Sequence, residues 1–202
     1  MNPDVFRELP ARRGHFLLES GYHTDLWLTL DSLFTDPLRI APFVGALAER
    51  LRPHHVSAVC GCLLGGAFLA QALATALGVR FYYTEPRTGP AGAGLFKADY
   101  ALPPDLRRRM PSERVAVVDD VISAGSSVRA TVRALTSAGA STVVIGAFLV
   151  LGRVGLDHFA SLAMPVESLG QRDLSVWEPS ACPLCAAGAP LEDPVHDVEP
   201  PI

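Results

Sequence analysis

Residues 114–152 constrain the fold of this chain more than any other stretch. "RVAVVDD" (114–120) is an apolar run without polar alternation, the pattern of a strand buried on both faces. "SSVRATVRALTSAG" (126–139) then places its apolar residues at helical spacing and closes on a glycine. "STVVIGAFLVLG" (141–152) is a second buried strand. A helix between two strands of one sheet makes those strands parallel, and such crossovers are right-handed.

The alternation also runs upstream. "DPLRIAPFVGALAERL" (36–51) has helical periodicity, with Pro37 near its start where proline is tolerated. "VSAVC" (56–60) reads as a strand, "GCLLGG" (61–66) as a loop and "AFLAQALATALG" (67–78) as a helix. "VRFYYTE" (79–85) is a further strand. The expected fold class is therefore α/β, a central mostly parallel sheet flanked by helices. "GHFLLESG" (14–21) and "DLWLTLD" (25–31) read as two short strands outside that sheet. "SLAMPVESLG" (161–170) is expected to return and pair with them, forming a small hood from the N-terminal and C-terminal segments. The implied organisation is 1–35 for the N-terminal part of the hood and 36–158 for the α/β core. Residues 159–202 then supply the C-terminal hood strand and a Pro- and Cys-containing tail. Within the core, 86–113 is rich in Gly and Pro and reads as one long loop, with a short strand around "GLFKADY". A loop of that length in a compact domain is usually either functional or disordered.

Composition narrows the function classes. With 202 residues, 49% of them apolar, the chain can bury one substantial core. No apolar run approaches the ~18 residues of a membrane span. The first twenty residues lack the apolar core and cleavage site of a secretory signal, so a cytoplasmic protein is expected, with no membrane partner. A net charge of -4 weighs against a nucleic-acid partner, and "RRR" (107–109) reads as a solvated turn. One basic residue stands apart: Lys97 is the sole lysine of the chain.

The chemistry concentrates in "VAVVDDVISAGSS" (115–127). In open α/β sheets, ligands bind beyond the carboxyl ends of the strands. Asp119 and Asp120 lie at such an end and lead into a helix start, where unpaired N–H groups and the helix dipole favour an anion. Ser123, Ser126 and Ser127 add hydroxyl donors, and Gly125 permits close backbone approach. Helix capping would need one acid nearer the helix, so two adjacent acids call for another explanation. Carboxylates for hydroxyls or a cation, beside a phosphate cradle, suit a sugar phosphate.

This segment resembles the phosphoribosyl-pyrophosphate (PRPP) signature of type I phosphoribosyltransferases. The resemblance implies that Asp119 and Asp120 contact the ribose hydroxyls. It also implies that Ser123, Ala124, Gly125, Ser126 and Ser127 hold the 5-phosphate. "GHFLLESGYHTDLWL" (14–28) is similar to the base-covering segment of orotate phosphoribosyltransferases. "WEPSACPLCAAGAPLEDP" (177–194) resembles a C-terminal extension found in some bacterial members. The implied function is transfer of the phosphoribosyl group from PRPP to orotate in pyrimidine nucleotide biosynthesis. The alternatives are a phosphoribosyltransferase for a purine-type base and a PRPP-binding regulatory paralogue.

The same resemblance places the pyrophosphate loop at Gly61, Cys62, Leu63, Leu64 and Gly65. Many orotate enzymes have a lysine in that loop, at the position of Gly65. Their lid carries an arginine- and lysine-rich run, which here is reduced to Arg87 and Lys97. These two are the expected cations for the leaving pyrophosphate. The base is expected to meet Phe16, His23 and Arg153, the arginine pairing with the orotate carboxylate. Mg²⁺ is expected to bind mainly through PRPP. Lid loops shared between subunits imply a homodimer. Apart from the resemblance, Cys182 and Cys185 have the spacing of half a tetrahedral zinc site. His196, Cys60 and Cys62, or a second subunit, would complete it; the bland reading is a tight turn with two thiols.

Overall fold

The apolar runs become the inner strands of a six-stranded sheet in the computed structural model, which describes residues 11–18, 20–28, 31–87 and 98–194. The elements are β1 (Ala11–Leu17), β2 (His23–Leu28), α1 (Asp31–Phe34), α2 (Pro37–Leu51), β3 (Ala58–Cys62), α3 (Gly65–Leu77), β4 (Arg80–Pro86) and β5 (Tyr100–Ala101). They continue as α4 (Pro104–Arg107), β6 (Arg114–Ile122), α5 (Ser126–Ser137), β7 (Ser141–Leu151), α6 (Val154–Ser161), β8 (Val166–Arg172), β9 (Val176–Trp177) and α7 (Pro183–Ala186).

The large sheet has the order β5-β4-β3-β6-β7-β8, parallel except for the short edge strand β5. Side chains of β6 explain why both faces are covered. Ala116 and Val118 pack with Leu47, Leu51, Leu69 and Leu73 of α2 and α3. Val115 and Val117 point the other way, to Val128 and Leu135 of α5 and Phe159 of α6. A strand with apolar residues on both faces is stable only between two helix layers. Helix α2 begins where Asp36 accepts a hydrogen bond from the Leu38 N–H at 3.0 Å, with Pro37 in the first turn.

Two sequence expectations change. Residues 161–170 do not return to the N-terminal hairpin; they enter β8, which pairs in parallel with β7 and forms the sheet edge. The preceding helix α6 makes that crossover, so the core sheet runs on to Arg172 rather than ending at 158. The partner of the hairpin is instead β9, through His23↔Trp177 and Thr24↔Val176, giving a second, three-stranded sheet β1-β2-β9. The long loop also shortens. Residues 98–113 are anchored by Tyr100, Leu102 and Met110, all buried, and contain β5 and α4. The remaining stretch, 88–97 with Lys97 in it, lies outside the described residues, as does His196. Among the described residues, no helix is long and apolar enough to cross a membrane.

Candidate active site

The parallel strands run in the order β4-β3-β6-β7-β8, so the chain reverses its direction of winding between β3 and β6. A crevice for ligands opens at such a switch point. β3 leaves β6 after the pair Gly61↔Val118, whereas β6 continues beside β7 as far as Ile122↔Val150. Asp119 and Asp120 are therefore the first two residues of β6 without β3 alongside. They lie inside a strand two residues longer than the sequence suggested.

Both helices that follow these strands start without a side-chain cap, α3 after Leu64 and α5 after Gly125. The acids do not cap α5. Asp119 instead accepts the Ser127 hydroxyl at 2.9 Å and the Asp120 N–H at 3.1 Å, and Asp120 accepts the Val121 N–H at 2.8 Å. Gly125 stands at φ +74°, a left-handed conformation that favours glycine, and a Cβ there would lie 3.2 Å from the Phe159 ring. The loop 123–127 thus turns sharply over Phe159 and leaves the first N–H groups of α5 facing the crevice end of the sheet.

The loop after β3 packs against the two carboxylates. A Cβ on Gly65 would lie 2.5 Å from Asp120 Oδ2, and one on Gly66 would lie 2.8 Å from Asp119 Oδ1. A Cβ on Gly61 would meet the Gly66 carbonyl oxygen at 1.9 Å. These glycines let the amino end of α3 come down onto the acids, whose charge its dipole favours. The Leu63–Leu64 peptide is cis. The Leu63 N–H donates to Thr84 O at 2.9 Å, and Tyr100 donates its hydroxyl to Leu63 O at 3.4 Å.

The electrostatics of the pair are unusual. Burial, and then the neighbouring Asp120 carboxylate, hold Asp119 well above the ordinary carboxylate range. Burial, and then Asp119 itself, push the Cys62 thiol up, so it ends β3 as a neutral thiol. Cys60 is likewise a buried, neutral strand residue.

The remaining sequence-selected residues fall elsewhere. Phe16 is fully buried, its ring 6.1 Å from that of Trp27 with the Arg12 guanidinium stacked over it at 5.1 Å. It is hairpin core, and that burial argues against a base contact. The His23 ring is turned toward His15, Cys182 and Cys185 and away from a base-binding role. Burial, and then His15, lower its pKa, so it is neutral near pH 7. The zinc partners expected from sequence also change: Cys60 and Cys62 are strand residues of β3, and the side chains beside Cys182 and Cys185 are those of His15 and His23. Sequence reasoning missed His15, whose only sign was a second histidine across the hairpin from His23. Arg153 precedes α6, is 76% exposed and pairs with Asp157 at 2.9 Å. Arg87 is exposed and lines a cleft with Arg107 and Arg133; none of 119–127 is among its described lining residues.

Comparison with known proteins bears on this arrangement. Residues 38–162 match the phosphoribosyl transferase domain family. The chain is 34% identical to an orotate phosphoribosyltransferase of Thermotoga petrophila, over 90% of this chain and 89% of that one. It is 30% identical to the enzyme of that name from Caldanaerobacter subterraneus subsp. tengcongensis, over 95% and 94% of the two chains. The crystal structure of orotate phosphoribosyltransferase from Aeropyrum pernix superposes with a TM-score of 0.61 at 24% identity, covering 80% of this chain and 87% of that one. Adenine phosphoribosyltransferase from Thermoanaerobacter pseudethanolicus shares the fold at a TM-score of 0.56 and 19% identity, over 73% and 88%. With its switch-point acids, its two uncapped helix starts and these relatives, the chain belongs to the phosphoribosyltransferase family, on its orotate phosphoribosyltransferase branch.

Proposed function

We propose that this chain transfers the 5-phosphoribosyl group from PRPP to orotate, giving orotidine 5-phosphate and pyrophosphate, a step of pyrimidine nucleotide biosynthesis. One observation carries the reading: two uncapped helix starts meet at the switch point with a pair of carboxylates between them. That arrangement offers two anion sites flanking a hydroxyl-binding site, which is the charge pattern of PRPP. Residues 123–127 take the 5-phosphate, Asp119 and Asp120 the ribose hydroxyls, and the backbone of 61–65 the pyrophosphate.

A ring nitrogen of orotate gives up its proton and bonds to the anomeric carbon as the bond from that carbon to pyrophosphate oxygen breaks; the pyrophosphate leaves with the electron pair, and the proton passes to it or to solvent. No protein nucleophile takes part. The task of the protein is to hold both substrates in line, to stabilise the charge that develops and to exclude water. Hydroxyl donors from ribose offset the burial of two adjacent acids. The hard oxygens of Asp119 and Asp120 also suit Mg²⁺, held mainly by PRPP with these carboxylates beside it. When bound beside these carboxylates, Mg²⁺ would supply positive charge for the departing pyrophosphate. Arg153 pairs with the orotate carboxylate, and Lys97 and Arg87 carry positive charge to the leaving group, in the site of a partner subunit.

The working unit is a cytoplasmic homodimer. An apolar groove between α2 and α3, lined by Phe34, Ile40, Val44 and Phe68 with the exposed Leu38 nearby, supports a second copy as its cover. The test is a base panel. Purified protein with PRPP and Mg²⁺ is offered orotate, adenine, hypoxanthine and uracil, and pyrophosphate release is measured. Release with orotate alone is expected. Release with a purine base in its place, or PRPP binding without turnover on any base, overturns the assignment.

A further inference from the structure

Four nitrogen and sulfur ligand atoms converge where the tail crosses the hairpin. His15 lies on β1, His23 on β2, and Cys182 and Cys185 flank the start of α7. Their ligand atoms all lie within 4.8 Å of one another. His15 Nε2 is 3.0 Å from His23 Nδ1 and 3.4 Å from Cys182 Sγ; Cys185 Sγ is 3.3 Å from His23 Nδ1 and 3.7 Å from His15 Nε2. A tetrahedral zinc ion with ordinary Zn–N and Zn–S bonds separates its ligands by about 3.3–3.8 Å. Three of these four edges fall in that range, and the His15–His23 edge is shorter at 3.0 Å.

We propose that His15 Nε2, His23 Nδ1, Cys182 Sγ and Cys185 Sγ form a structural zinc site that fastens the C-terminal tail to the N-terminal hairpin.

The donor set selects the metal. Two imidazoles and two thiolates suit zinc, whereas Mg²⁺ requires oxygens. Four protein ligands close the coordination sphere, which marks a structural rather than a catalytic site. His15 is oriented from behind. Its Nδ1 donates to Ala189 O at 3.0 Å, which leaves the lone pair of Nε2 facing the cluster. The carbonyl that fixes the ring comes from the same tail that supplies the cysteines.

The tail needs such a fastening. Among the described residues from 173 to 194, Cys182 is the only buried one. Its other contacts include a two-residue strand, the hydrogen bond from His15 Nδ1 to Ala189 O, a pair of backbone hydrogen bonds between Glu192 and residues 15 and 17, and an exposed Arg12–Glu192 ion pair. Such contacts supply little apolar burial, and segments of that kind rely on staples. A zinc ion joining the hairpin to the tail would order both segments. The proposal uses none of the residues assigned to PRPP, so it stands or falls apart from the assignment of the base.

The full chain, produced without a polyhistidine tag and kept reduced, is analysed for bound metal by mass spectrometry. About one zinc per chain is expected. After chelation, cobalt(II) added alone should give the intense visible bands of tetrahedral, thiolate-ligated cobalt at one equivalent, and zinc should erase them. The melting temperature of the stripped protein should rise by several degrees with zinc and not with Mg²⁺. The Cys182→Ser/Cys185→Ser variant should lose both the metal and the cobalt bands. Wild-type protein that holds far less than stoichiometric zinc and develops no cobalt bands overturns the proposal. So does zinc retained undiminished by the double variant, or a Cys182–Cys185 disulfide in the reduced protein. The cobalt titration uses wild type, so misfolding of the variant cannot mask the answer.

Discussion

Asp119→Asn should make the free protein more stable near pH 8 while removing its activity. Asp119 is buried beside a second carboxylate, and both effects raise its pKa, burial the more. An acid whose folded-state pKa is raised binds more protons folded than unfolded over the intervening pH range. Stability then falls as pH rises from about 3.9, the unfolded value, through the raised folded value, and the penalty is complete above it. Each tenfold change in that ionisation constant is worth about 1.4 kcal/mol. Asparagine has the same shape and no charge. Its Oδ1 keeps the Asp120 N–H bond, and its amide can donate to the Ser127 hydroxyl, which at present donates to Oδ2. At most one hydrogen bond is weakened, a loss of about 1 kcal/mol.

The direction of the pKa shift therefore favours the variant at pH 8. With a urea slope of roughly 2 kcal/mol/M, the midpoint should move up, by about 0.5 M for each 1 kcal/mol gained. The difference should shrink as pH falls toward 4.5, where Asp119 is increasingly neutral in the wild type as well. Asp120→Asn should give part of the same gain, because it removes the second cause of the shift. Turnover of PRPP should fall by about 10²-fold or more, since a charged hydrogen-bond partner of the ribose is lost. Urea unfolding of both proteins from pH 4.5 to 8.5 is the assay. Parallel curves, or a variant less stable at pH 8 than wild type, would show that the acid is not held against its charge.

Gly61→Ala should lower the melting temperature by several degrees and disable the pyrophosphate loop. Its Cβ would meet backbone atoms of Gly66 at 1.9 and 2.2 Å, which no rotamer relieves; overpacking of this kind costs about 1–3 kcal/mol. Arg153→Ala should leave the melting temperature unchanged, because an exposed pair with Asp157 contributes less than about 1 kcal/mol. The KM for orotate should nonetheless rise about tenfold or more, with that for PRPP constant; an unchanged orotate KM removes Arg153 from the base site. Lys97→Ala should reduce turnover by ~10²–10³ with little change in PRPP affinity. A rate within about twofold of wild type, ~0.4 kcal/mol in barrier, excludes a catalytic lysine.

What the sequence reveals depends on how local the physics is. Strand β6 was legible because an inner parallel strand must be apolar on both faces, and "VAVV" admits no other reading. Strand β8 was harder to place, since "VESLGQR" is half polar, as a sheet edge with one open side can be. Residues 98–113 read as loop because Gly and Pro dominate the segment, yet Tyr100, Leu102 and Met110 anchor it to the core. Asp119 and Asp120 were found from their position after an apolar run; that they lie against the amino end of α3 is a tertiary fact. The His15–Cys182 approach joins residues separated by 167 positions, a distance across which spacing carries no information. Half of that cluster was visible as Cys-x-x-Cys; the other half became visible only when β9 and Glu192 docked on the hairpin.

The loop glycine at 65 connects these observations. The family resemblance leads one to expect a lysine in this loop, and its absence here looks at first like a lost catalytic charge. The geometry gives a different account. A side chain at 65 would begin 2.5 Å from Asp120 Oδ2, and Asp120 is tied by its other oxygen to the Val121 N–H. A lysine at this position could enter only by displacing that carboxylate, breaking its backbone hydrogen bond and moving an acid assigned to the ribose. Close packing of α3 onto the acids and a cation at 65 therefore compete for the same space in this chain. The packed arrangement directs backbone N–H groups and the helix dipole at the site in place of an ammonium group. Any further positive charge for the leaving pyrophosphate then has to come from outside the loop, beyond what bound Mg²⁺ supplies. In the proposed mechanism that requirement falls on Arg87 and Lys97.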